Sequence, residues 1–309
     1  MAFASFTSAP AAGTPAAGAP SPRRATPVAL LLLLPGVLYL LLFFLTPLVS
    51  LVITSLQAPV EFGDVGQFQA AFQWQNYVTV IESYWPHFVR SFGYAIAATV
   101  LALVISYPLA YFIGVKARAW PLLQALMLTL VIAPFFISFL LRTLAWKELM
   151  SDDSLLVTAL KGLTILGPTD HLTGTAFSVI FGLTYNFIPF MTLPLYTSLE
   201  RLDLRYLEAG ADLYASGPTT FWKITVPLSM PGIVSGTLLT FIPASGDYIN
   251  ASSSFLGSAN TSMVGNVIEA NFIDLLNYPE AAALSVLLMG VILVIVAAYV
   301  RRSGTEDLL

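Results

Sequence analysis

Cysteine is absent from the sequence, which removes disulfides, thiolate nucleophiles and thiolate metal ligands. Histidine occurs only at His87 and His171, far apart and without the spacing of an imidazole metal site, so no metal is expected. Charge is scarce as well: Asp, Glu, Lys and Arg make up 10% of 309 residues, against roughly 25% in an ordinary soluble domain. A surface solvated by water cannot be built from so little charge. There is no long basic run and the formal net charge is -4, which argues against nucleic acid as a partner. Neither the phosphate loop G-x-x-x-x-G-K-[ST] nor the pair H-E-x-x-H occurs, so nucleotide hydrolysis and metalloprotease chemistry lack their signatures.

What the chain has in abundance is apolar surface: 57% of its residues are hydrophobic, and the mean hydropathy is +0.81. A helix crosses the ~30 Å hydrocarbon core with about 20 mostly apolar residues. Six uncharged gaps are long enough: Arg24 to Glu61, Arg90 to Lys116, Arg118 to Arg142, Asp170 to Glu200, Lys223 to Asp247 and Glu280 to Arg301. The fold class expected is an all-α polytopic membrane protein with six transmembrane helices. A seventh gap, Asp247 to Glu269, is rich in Ser, Asn and Gly. It should line a cavity or lie outside the bilayer, because lipid satisfies no backbone polar group.

Basic residues set the orientation. With the N-terminus inside, Arg23, Arg24, Lys116, Arg118, Arg201, Arg205, Lys223, Arg301 and Arg302 fall on the cytoplasmic side. Arg90, Arg142, Lys147 and Lys161 fall outside, so both termini are expected to be cytoplasmic. Acids lean the other way, with Glu61, Asp152, Asp247, Glu269 and Asp274 among those outside. They either form an acidic entrance for cations or simply tolerate the translocated side. Residues 1–27, rich in Ala, Pro, Ser and Thr, are expected to be a disordered tail. The run from Val28 is too long for a signal-peptide core and reads as a retained first helix. Residues 146–175 leave room for one or two external helices.

The loop between the fourth and fifth spans reads LERLDLRYLEAGADLYASGPTTFWKITVPLSMPGIVSG, from Leu199 to Gly236. Its pattern predicts a helix over Asp203 to Ala215, with Asp203 as N-cap, broken at Gly217 and Pro218. A second short helix follows, and Pro227 and Pro231 mark entry into the fifth span. Apolar residues beside charges on such a loop suit either protein docking or an ordinary surface loop.

The same loop resembles the EAA motif of binding-protein-dependent ABC importer permeases: E-A-A, three residues, G, nine residues, I, one residue, L-P. Glu208, Ala209 and Gly210 stand at E-A-A, Ile224 at I, and Val226 with Pro227 at L-P. Gly210 replaces an Ala, Tyr214 the motif Gly, and Val226 a Leu. The strings SFLLRTLAW, GLTYNFIPFMTLPLYTSLERLD, PLSMPGIVSG and MVGNVIEANF are similar to those of spermidine/putrescine-type permeases of the PotB-like kind. The resemblance implies a type I ABC importer permease fold over residues 28–302, an EAA-like coupling loop over 200–227 and a short tail at 303–309. It implies a bacterial plasma membrane location, a second homologous permease, two cytoplasmic ATPase subunits and an extracytoplasmic substrate-binding protein. ATP and Mg belong to the ATPases, so this chain binds no cofactor and catalyses nothing itself. Glu208 would anchor the ATPase, with Ala209, Gly210, Leu213, Tyr214, Phe221 and Pro227 at the coupling surface.

The substrate implied is a small cation such as spermidine or putrescine. An aminophosphonate, an opine or ferric iron remains open, because related permeases share the loop. A stand-alone secondary transporter would usually show repeats and intramembrane ion sites, and neither is evident. Asp247, at the end of the fifth span, either faces a substrate ammonium or lies in external water; Tyr248 would add a cation–π face. Tyr185 and Asn186 in the fourth span, beside Pro189, either turn to a cavity or bond between helices. Glu269 and Asn266 would complete an acidic vestibule. Trp146 reads as a cation-facing ring or an interfacial belt residue, and Arg142 as a snorkelling or acid-paired cation.

Overall fold

A computed structural model of the chain describes residues 27–60 and 62–302. The tails expected at 1–27 and 303–309 lie outside the described residues, except Pro27, which opens the first helix. The chain divides after Ser50 into two units. Helix α1 (Pro27–Leu40) runs through a π-helical stretch, Leu41–Leu45, into α2 (Thr46–Ser55), within which that division falls. Residues 31–47 are exposed on every side. A helix apolar all round suits lipid rather than water. Its 25 residues from Leu31 to Ser55 rise about 37 Å, enough to cross the core.

The second unit holds a two-stranded hairpin, β1 (Ala58–Pro59) with β2 (Phe68–Gln69), and then the long helix α3 (Gln75–Tyr111). Helices α4 (Pro121–Ile132) and α5 (Phe139–Met150) follow, the chain bending by 94° between them at residues 137–138. A short α6 (Leu155–Gly162) precedes α7 (Ala176–Glu200), whose N-terminus is closed by a Thr175–Ser178 capping box. The loop elements are α8 (Arg205–Asp212), α9 (Gly217–Thr220) and α10 (Val226–Leu228); α11 (Met230–Ser245), α12 (Val264–Glu269) and α13 (Tyr278–Arg302) complete the order. Among the described residues, four helices are long and apolar enough to span a bilayer, and each bent pair, taken as one span, brings the number to six. That matches the six spans read from the charge gaps.

The core sits on α7, which packs chiefly against α3 and α11. The reason is small residues. α3 turns Ala95, Ala98, Ala102, Ser106 and Ala110 inward, all fully buried, at the three- and four-residue spacing of one helix face. Leu183, Met191, Leu195 and Leu199 of α7 are fully buried in the same clusters. On α11, Gly232 and Gly236 form a G-x-x-x-G pair; a Cβ would lie 2.6 Å from Ser198 Cβ at the first and 2.8 Å from Met191 Sδ at the second. Helices in lipid gain little from hydrophobicity between them, so close backbone approach supplies the packing.

Candidate functional site

At the loop end, α8 begins at Arg205, two residues later than the pattern suggested. Leu204 takes the N-cap position, while Asp203 Oδ1 accepts the Arg205 backbone N–H at 3.0 Å. An Asx-type bond of this kind closes a turn before the helix instead of capping it. The helix ends at Asp212 because Tyr214 adopts φ 54, a left-handed conformation, with Ala215 N bonded to Gly210 O at 3.0 Å. This is how helices terminate, usually with Gly in that place. The motif glycine therefore marks a backbone requirement that Tyr214 meets under strain. Gly210, standing where the motif has Ala, faces inward: a Cβ there would lie 3.1 Å from Thr220 Oγ1 and 3.3 Å from Ile224 Cδ1. Its lack of a side chain lets α8 lie on α9.

The loop's side chains divide into two sets. Glu208, Ala209 and Pro227 are exposed, and so are Tyr206, Leu213, Tyr214 and Trp222, with Tyr214 at 98%. Phe221 instead turns inward, edge-on to Tyr107 at 5.3 Å and Tyr111 at 6.3 Å on α3. It ties the loop down rather than presenting a face to solvent. Tyr107 also shares a buried 2.7 Å hydrogen bond with Ser229, where the chain bends by 68° into α11. Arg118 completes the anchorage, donating to the carbonyls of Gly114 at 3.1 Å, Leu202 at 3.3 Å and Leu199 at 3.2 Å, and to that of Glu200. A cation at the carbonyl end of α7 also complements its dipole. Sequence reasoning counted Arg118 only toward orientation; its place in the loop facing the Leu199–Leu202 corner was the available signal.

At the opposite end, just past α11, the polar segment folds back on itself. Asp247 is 7% exposed. Its Oδ2 accepts Asn250 N at 2.8 Å and Ala251 N at 3.3 Å, and its Oδ1 accepts Asn250 Nδ2 at 3.0 Å. Asn186 Nδ2 donates to Asn250 Oδ1 and to Thr143 Oγ1, each at 3.2 Å. One connected network thus joins the end of α11, α7 and α5. Trp146 packs edge-on against Phe181 at 4.6 Å and Tyr185 at 5.1 Å, placing Tyr185 beside this network. Tyr248 is half-exposed at 47%, and its carbonyl accepts Asn266 Nδ2 at 2.6 Å.

Beside that turn lies a cavity of about 380 Å³ lined by Ser252, Ser253, Ser254, Asn266, Glu269 and Asp274, among others. The Glu269 carboxyl is raised above its ordinary value, by burial first and then by the Asp274 charge. Asp247 and Asn186 are thus brought together with Tyr185 and Trp146 nearby, while Glu269 and Asn266 belong to the adjoining cavity. Lys147 Nζ holds Ser254 O at 2.9 Å and Arg90 holds Asn260 O, pinning the segment from outside. Arg142 is 8% exposed, with its guanidinium 5.7 Å from the Phe139 ring; its Nε and Nη1 find no partner among the described residues. Among those residues no cluster of three or more His, Asp or Glu could hold a metal ion.

A family profile for the inner membrane component of binding-protein-dependent transport systems matches residues 106–303, a range that includes the whole loop and the polar network. The chain belongs to this family. The permease is 34% identical over 266 residues to the spermidine/putrescine transport system permease protein PotB of Escherichia coli K12, covering 86% of this chain and 94% of that one. PotB of Salmonella typhimurium LT2 is likewise 34% identical over 266 residues, covering 86% and 90%. The inner membrane ABC transporter permease YdcU of Escherichia coli is 28% identical over 234 residues, covering 72% of each chain. A crystal structure of a bacterial alginate ABC transporter, with alginate pentasaccharide-bound periplasmic protein, superposes with a TM-score of 0.63 at 16% identity, covering 90% and 94% of the two chains. That likeness speaks for the fold, which is the ABC transporter permease fold. The permease is a multi-pass transport component of a bacterial inner membrane.

Proposed function

We propose that this permease is one half of the translocation pathway of an ATP-driven importer for polyamines such as spermidine and putrescine. The observation that carries the reading is the 34% identity with PotB over 86% of the chain. The geometry supports it, because the cavity holding Glu269 and Asp274 presents two carboxylates among serine hydroxyls, a setting that attracts a flexible polycation. Asp247, Tyr248, Tyr185, Asn186 and Trp146 form the pathway wall beside it, with Asp247 acting through the turn it organises. A second homologous permease supplies the other half, and an extracytoplasmic binding protein delivers substrate. Two cytoplasmic ATPases, carrying ATP and Mg, engage the exposed face of the loop through Glu208, Ala209, Leu213 and Tyr214. Gly210, Phe221 and Pro227 shape that face from behind or at its edge. Both termini lie in the cytoplasm, and this chain performs no catalysis.

The test is uptake of labelled spermidine and putrescine into vesicles carrying this chain with its co-purifying partners, with and without ATP and binding protein. Uptake that requires both supports the reading. ATP-dependent uptake of a different solute removes the polyamine assignment, and gradient-driven uptake by the chain alone removes the importer.

A further inference from the structure

Away from both sites, α3, α11 and α13 enclose an apolar groove of about 320 Å³. Its walls include Ile96 and Val100 of α3, Leu238 and Phe241 of α11, and Ile295 and Tyr299 of α13. Ile96, Val100 and Ile295 are exposed, so the groove opens sideways, between helices that are themselves membrane spans. A single hydrocarbon chain suits this volume.

Helical spacing then leads from the groove to a charge. Ile295, Tyr299 and Arg302 stand at i, i+4 and i+7 and share one stripe of α13. Arg302 lies about 4.5 Å of helical rise beyond Tyr299, is exposed, and makes no ion pair among the described residues. Arg301 stands next to it, and both follow the apolar run directly. An apolar slot between membrane spans, with a guanidinium one helical turn past its Tyr299 wall that makes no ion pair among the described residues, matches the two halves of one molecule. We propose that the groove binds an anionic phospholipid, with an acyl chain between α3, α11 and α13 and its phosphate at Arg302. Bulk lipid wets every outer face of the permease. The arginine is what selects a negative headgroup and holds it against exchange.

The assembled complex would be extracted from vesicles of equal phosphatidylethanolamine and phosphatidylglycerol and examined by native mass spectrometry. The expected result is phosphatidylglycerol retained on this chain. Arg302→Gln should lower that retention about fivefold, and Arg302→Lys should preserve it. Ile96→Trp, which fills the mouth from an exposed position, should displace the lipid. Arg302→Gln leaves the packed core untouched, so its arm reads binding even where the tryptophan variant inserts poorly. Retention indifferent to the loss of charge, or to a filled mouth in an inserted protein, overturns the proposal. So does phosphatidylethanolamine held in its place, or a cross-link from position 96 to the paired permease, which would place protein in the groove.

Discussion

The two ends of the α7–α11 pair treat their conspicuous side chains in opposite ways. At the loop end, Tyr206, Leu213, Tyr214 and Trp222 are exposed, and the groups that fasten the loop, Arg118, Tyr107 and Phe221, lie beneath it. At the far end, Asp247, Asn250, Asn186 and Thr143 are buried and bonded to one another. Large apolar groups exposed on a polar loop are unexplained within the chain and point to another protein. These buried polar groups hold a shape through their mutual bonds, although Asn186 Oδ1 has no partner among the described residues, and the more open rim lies at Tyr248 and Glu269. The two ends therefore call for different readouts: coupling at the first, folding and affinity at the second.

The sharpest way to break this division is Arg118→Ala. The loop's anchorage should fail from within, at a cost of about 3 kcal/mol because a charged donor leaves several carbonyls. Thermal unfolding of the purified complex would measure it, and transport should fall in parallel. Glu208→Ala tests the outer layer of the same loop. ATP-dependent uptake should drop about thirtyfold, as for an interface hot spot, with membrane insertion and thermal midpoint unchanged. Intact uptake and intact co-purification of the ATPase would remove its role as anchor.

Glu269→Gln tests the other end. A carboxyl raised above its ordinary value gains its proton at a higher pH than a free one, so cation capture should weaken as pH falls through mildly acidic values. The substitution should raise the KM for polyamine about fivefold at neutral pH, the worth of one partly screened charge. It should also flatten the pH dependence of KM. A pH profile identical to wild type would mean that Glu269 meets no substrate.

Much of the architecture was legible because lipid imposes a coarse rule: the six gaps without charge fall on four long helices and two bent pairs. The loop was legible as helix, break, helix, but the break falls at Tyr214, ahead of Gly217 and Pro218, which open α9. Orientation of side chains was not. Phe221 reads as a docking residue from its apolar character, yet Tyr107 and Tyr111, more than a hundred residues earlier, turn it inward. Asp247 stood out as an acid at a span's end, but only the fold brings Asn186 and Thr143 to the Asn250 that it holds. The cations on the outer side, awkward for a charge-counting rule, have local duties: Arg90 and Lys147 grip the polar segment, and Lys161 pairs with Asp152 at 2.9 Å. Arg142 is the exception, stacked near Phe139 without a bonded partner for Nε or Nη1.

Tyr214 gives the smallest effect and the most direct comparison of the two demands on the loop. Its φ of 54 places an L-residue where the left-handed conformation costs roughly 1–2 kcal/mol. Glycine would remove that strain but lose about 0.5–1 kcal/mol of backbone entropy on folding. Tyr214→Gly should therefore raise stability by only about 0.5 kcal/mol, a shift of a degree or two in the thermal midpoint. With 98% of the tyrosine exposed, no packing inside the chain is lost in exchange. A strained residue whose ring is exposed among the described residues is the place to test for a contact outside the chain. The variant should accordingly be slightly more stable and couple less well, hydrolysing more ATP per polyamine imported. If it gains stability and transports as before, the ring has no partner, and the exposed face of the loop is narrower than Glu208 and Leu213 suggest.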